Sequence, residues 1–161
     1  MDLGSDEIRP AFRLMVALGV AGLVILAIGL AQFVQYEPPG QRSGLTAKIT
    51  GVYGYDVKTG KTFGPDKDHF KTNEPFAAVV DWTTLPPDLV VGGNWFSGGF
   101  ALDSGGVGPA RAADLRERSV VPVNRGAQRF PSGRYEFVVE RWSGGRPVEV
   151  LGRVSVVVVG A

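Results

Sequence analysis

The chain contains no cysteine, which excludes disulfides, zinc–thiolate sites, iron–sulfur clusters and thiol nucleophiles. It has a single histidine, His69, and a lone histidine is a poor zinc site. The formal net charge is only +1, which argues against a nucleic-acid partner, because such domains are usually strongly basic. No Gly-Lys-Ser or Gly-Lys-Thr follows a glycine run, so a phosphate-cradling loop of that kind is excluded. Long helices should be scarce after residue 40, given 23 glycines and 11 prolines in the chain.

Charge is missing altogether from "LMVALGVAGLVILAIGLAQFV", residues 14–34. As a helix these 21 residues would rise about 31 Å, close to the hydrocarbon thickness of a bilayer. Gln32, Phe33, Gln35 and Tyr36 suit one headgroup boundary, and Arg9, Pro10 and Arg13 lie at the other. Gly29-Leu30-Ala31 has the small-residue spacing of a signal-peptide cut. However, Asp2, Asp6 and Glu7 deny the leading segment a positive character, and the apolar run is longer than a signal core. The expectation is a retained transmembrane helix over 14–36. The 1–13 tail would be cytoplasmic and the rest periplasmic, at a bacterial inner membrane. On a helical projection Gly19, Gly22 and Gly29 share one face, where small residues let helix backbones approach in lipid.

"EPPGQRSG", residues 37–44, reads as a stiff Pro/Gly linker. From Leu45 the pattern has period two. Strands are expected at 45–57, 76–83, 89–96 and 119–123, the last at an edge or bulge because of Pro122. The clearest pattern comes last. After a turn at Pro131-Ser132-Gly133, Tyr135, Phe137 and Val139 should point inward, with Arg134, Glu136 and Glu140 outward as solubilising charges. A hairpin turn at 143–146 leads to a strand with Val154, Val156 and Val158 on one face.

The run "FPSGRYEFVVE", followed by Ser-Gly-Gly and a Val-rich strand, resembles the last two strands of bacterial immunoglobulin-like domains. "EPFAAVVDWTTLPPDLVVGGNWF" is similar to their earlier strands, with Trp95 placed like a core tryptophan. The likeness departs from antibody domains in lacking both bridging cysteines. It implies an antiparallel β-sandwich over 45–161 and roles in binding or spacing. The expected fold class is therefore one transmembrane helix plus an antiparallel immunoglobulin-like β-sandwich.

Catalytic chemistry is hard to assemble. "LDSGG" (102–106) is similar to the nucleophile segment of trypsin-like proteases, and His69 and Asp81 or Asp88 precede Ser104 in that family's order. Leu102 replaces the expected glycine, and the domain has about half the length two barrels need. A flexible loop is the simpler reading of Asp103 and Ser104. "GPDKDHF" offers Asp66, Asp68 and His69 as ligands without the further oxygens calcium requires, so it reads as a solvated turn. No catalytic residue, metal, cofactor or small-molecule substrate is expected.

Arginine is more informative. Residues 111–153 carry nine arginines against five acids, while every lysine falls within 48–71. Arginine forks bind carboxylates and phosphates and favour interfaces, although a surface rich in arginine is the plainer reading. The segment 97–118 has little strand character, and "ARAADLRER" could form a short helix. Phe100, Leu102, Arg111, Leu115, Arg116 and Arg118 are the candidate partner contacts. The expected function is a non-catalytic single-pass subunit docked on integral membrane proteins of a larger complex, photosynthetic and respiratory assemblies among those that fit. The alternative is an anchored extracytoplasmic module that binds a soluble protein or an envelope glycan.

Overall fold

The computed structural model describes residues 15–16, 18–22, 42–102, 105–123 and 129–160. The chain divides into two units, Met1–Tyr36 and Glu37–Ala161. In the first, residues 15–16 and 18–22 are helical and exposed. They account for about 10 Å of rise, a third of a bilayer's ~30 Å hydrocarbon layer. Among the described residues no helix is long and apolar enough to cross a membrane. This overturns the expected fold class, because what is described is mostly β-strand. The rest of the 14–36 expectation, Gly29 included, lies outside the described residues.

The second unit is built from strands and two single turns of 3-10 helix. In chain order these are β1 (Lys48–Asp56), β2 (Lys61–Phe63), β3 (His69–Lys71), β4 (Phe76–Asp81), η1 (Trp82–Thr84), β5 (Val90–Ser97) and β6 (Phe100–Ala101). After them come β7 (Val107–Arg111), η2 (Ala112–Asp114), β8 (Arg118–Pro122), β9 (Gly133–Ser143) and β10 (Arg146–Val159). One sheet has the order β2-β1-β4-β8; the other has the order β3-β10-β9-β5-β6, with β7 also on β5. The purely antiparallel expectation needs correction here, because β3 runs parallel to β10. A parallel neighbour needs no hairpin, and β3 pairs with β10 only at Val157–Val159.

Phe76 of β4 marks where the two sheets meet. Its ring stacks on Phe70 of β3 at 4.6 Å and stands edge-on to Trp95 of β5 at 5.3 Å and Tyr135 of β9 at 5.7 Å. All four are buried, and offset or edge-on aromatic pairs add to the area they bury. Trp95 Nε1 donates to Val121 O at 2.9 Å, which ties β5 to β8 across the core.

Alternation holds where one face meets this core. Tyr135, Phe137, Val139, Val156 and Val158 are buried, and Val154 packs partly against them. Glu140 departs from expectation. It lies on the outer face with Glu136, yet only 5% of it is exposed. The 97–118 segment is also corrected, since it carries β6, β7 and η2, and "ARAADLRER" forms only the η2 turn. Pro122 ends β8, an edge strand, where a missing N–H costs no ladder bond.

Candidate functional site

The site grows from the end of β4. Asp81 caps η1 by accepting from Thr83 N at 3.1 Å and from the Thr83 hydroxyl at 2.6 Å, as short polar residues do at helix starts. Lys48 Nζ stands 3.7 Å from the same carboxylate. The Thr83 hydroxyl bond holds the Asp81 carboxyl below its usual range against the opposing effect of burial, helped by the Thr83 amide, Lys48 and Arg118. Asp81 is thus an ionised, fixed anion, not a base awaiting a proton.

Trp82 then stitches η1 to the segment entering β8. Its backbone N–H donates to Glu117 O at 3.0 Å and its indole N–H to the Ser119 hydroxyl at 2.8 Å. These bonds set residues 116–118 beside Thr83, and an open cleft results, lined by Asp81, Thr83, Arg116, Glu117 and Arg118. Arg116 and Arg118 make no side-chain hydrogen bond or ion pair among the described residues. Arg42, Arg129 and Arg146 make none either, whereas Arg111 is held by Asp114 at 2.8 Å, Arg141 by Glu149 at 2.8 Å and Arg134 by the Ser155 hydroxyl at 2.9 Å. Two exposed guanidinium forks beside a cleft can grip carboxylates bidentately.

The remaining candidates scatter. Leu102 is buried and Leu115 packs partly against the core, so both are structural. Phe100, 52% exposed, sits on β6 in the other sheet. Arg111 ends β7 and is held by Asp114. Gly19 and Gly22 lie in the described helical residues, with nothing within 4 Å of an added Cβ. Gly29, Asp103 and Ser104 are outside the described residues. His69 is exposed on β3, its Nδ1 2.7 Å from Asp68, whose carboxyl that contact lowers. Asp66 is turned away from them and accepts from Val52 N at 2.7 Å. Among the described residues no three His, Asp or Glu side chains gather as metal ligands would.

Sequence reasoning missed Asp81, Thr83 and Glu117 as part of this corner. Asp81 followed by Thr83 and Thr84 is a recognisable capping pattern, but only the fold brings it to Arg116 and Arg118. Glu140 was missed as well. Burial pushes its carboxyl from 4.5 up to about 7. Comparison with protein-family models, curated proteins and solved structures finds no match for this chain.

Proposed function

We propose that the β-rich unit is a non-catalytic binding module that docks onto an acidic protein partner at the Arg116–Arg118 corner, within a larger assembly. The observation that carries this reading is a pair of exposed guanidinium groups, without a side-chain hydrogen bond or ion pair among the described residues, beside an open cleft whose carboxylates are Asp81, already capped by Thr83, and Glu117. Rim arginines steer and select acidic partners. The single-pass form of the expected function is set aside together with the spanning helix on which it rested.

An immunoglobulin-like reading of the sandwich is supported by the Tyr135 hydroxyl, which donates to Pro131 O at 3.0 Å. A tyrosine at the start of a late strand, bonded back to upstream backbone, is the tyrosine corner of such folds. The buried Trp95 between the sheets agrees with it. Folds of this kind host many functions, so the docking proposal rests on the corner and not on the fold.

The test is the size of the native assembly. The full chain, extracted gently from its source, should co-elute with a partner in constant ratio. Arg116→Glu with Arg118→Glu should run alone with an unchanged urea midpoint, while Arg134→Glu should still co-elute. Co-elution of the double variant at parental ratio defeats the proposal.

A further inference from the structure

Strand β8 stands at the edge of its sheet, with β4 as its sole neighbour there among the described residues. Two hydrogen bonds identify the residues that face β4: Val123 N donates to Phe76 O, and Trp82 N to Glu117 O, each at 3.0 Å. Peptide groups in an antiparallel ladder alternate sides, so residues 117, 119, 121 and 123 turn theirs to β4. Arg118 and Val120 therefore turn N–H and C=O outward, and Pro122 offers a carbonyl alone. Gly105 already approaches that carbonyl, since a Cβ there would lie 2.6 Å from it. The stretch open to another strand runs from Arg118 to Val120.

Exposed edges are usually guarded by shortness, charge or proline. β2 and β3 have three residues each and carry Lys61 and Lys71; β6 has two. β7 carries Pro109 at its centre. The β8 edge carries one charge, Arg118, but is five residues long with its proline only at the end, so no proline stands between Arg118 and Val120, and Val120 is 40% exposed. Arg118 and Val120 share the outer face, and Arg116, without a side-chain partner among the described residues, lines the cleft beside them.

We infer that this edge takes up an extended acidic segment of a partner protein as an added strand, an acid lying opposite Arg118 and an apolar side chain opposite Val120. The inference rests on the proposed corner docking and adds its mode: main-chain hydrogen bonds hold the segment while alternate side chains select it. A second copy of the chain is the poorer occupant, because pairing β8 with itself sets arginine near arginine, and like charges across a ladder repel.

The test uses the nitrogen-15-labelled full chain and the capped peptide Glu-Thr-Val-Thr-Glu-Thr-Val-Thr, with a lysine-for-glutamate version as control. Hydrogen exchange at the Arg118 and Val120 amides should slow on adding the acidic peptide and not the basic one. Val120→Pro removes an outward N–H without touching the β4 ladder, and should weaken binding about tenfold, as expected for one lost backbone hydrogen bond. Val120→Thr should bind like the parent. If the peptide binds and Arg118→Glu abolishes binding while neither amide is protected, strand addition is overturned and corner docking stands. Binding that survives both Val120→Pro and Arg118→Glu, or no binding at millimolar peptide, overturns both. Protection of the same amides without peptide, rising with protein concentration, overturns the acidic partner in favour of a second copy.

Discussion

The buried phenol of Tyr135 donates a 3.0 Å hydrogen bond to the carbonyl of Pro131, four residues back. That bond fixes how the chain turns through Gly133, at φ +147°, into β9. The same ring stands edge-on to Phe76 at 5.7 Å and Phe130 at 6.4 Å, so one side chain joins a turn to both sheets. Tyr135→Phe removes the bond alone and should cost about 1–2 kcal/mol. Tyr135→Ala also opens a cavity and should cost about 3–5 kcal/mol. Urea midpoints of the two variants decide it, and equal losses would mean the hydroxyl contributes nothing.

Glu140 should make stability fall with rising pH. Its cross-strand neighbours are Gly92 and Val150, and no described side chain donates to its carboxyl. On the same face Arg153 lies 3.7 Å from Glu136. Burial raises the folded pKa from 4.5 to about 7, so between those values the folded chain holds a proton the unfolded chain has released. The contribution is full below about 4.5 and is lost as pH climbs through about 7, amounting to at most about 3 kcal/mol. Glu140→Gln should match the parent at pH 4.5 and exceed it at pH 8.5. A flat difference between parent and variant across that range would sink the idea.

Much of the fold was legible because period two survives wherever a strand has one face on the core. β1, β9 and β10 announce themselves that way, β4 and β5 read as short apolar runs buried on both faces, and Pro122 marks the β8 edge. The two or three residues of β2, β3 and β6 are too few to carry a period. β7 is hidden by Gly108 and Pro109, residues that advertise turns. Glu140 shows a different limit. Alternation assigns it to the outer face correctly, but that face is covered there, with Val138 also buried, and no pattern along one strand reveals what crosses it. The corner was half legible: arginine crowding pointed to Arg116 and Arg118, while their juxtaposition with Asp81 depends on Trp82 bonding to residues 117 and 119. The apolar run at 14–34 looked the most decisive feature, yet the described part of it is too short to span.

Asp66 should act as a fastener, not as a ligand. Its carboxylate accepts from Val52 N at 2.7 Å, and Lys67 N returns a bond to Val52 O at 3.0 Å, so the 66–67 backbone docks beside β1. The fit depends on Gly51, at φ +151°, where an added Cβ would meet the Asp66 carboxyl at 2.5 Å. Asp66→Ala leaves a buried N–H unmatched and should cost about 1–3 kcal/mol, whereas Asp66→Asn keeps an acceptor and should cost less. Thermal unfolding should be indifferent to added calcium or zinc; a metal-dependent rise in Tm that Asp66→Ala removes would contradict this role.

Trp142 and Gly92 form a contact that tolerates little change on either side. The Trp142 indole N–H is buried without an acceptor among the described residues. The indole lies across Gly92, where a Cβ would come within 2.9 Å of Nε1 and 3.1 Å of Val107 O. Gly92→Ala must therefore displace the indole, at about 1–3 kcal/mol. Trp142→Phe gives up ring area but removes an orphaned donor, which itself costs about 1–3 kcal/mol, so the two effects oppose and the net change should be small. The double variant separates contact from backbone strain. With the smaller ring Gly92→Ala should cost less, by a coupling of about 0.5–3 kcal/mol. An undiminished cost would place the whole penalty on the Val107 carbonyl, which the phenylalanine leaves where it was.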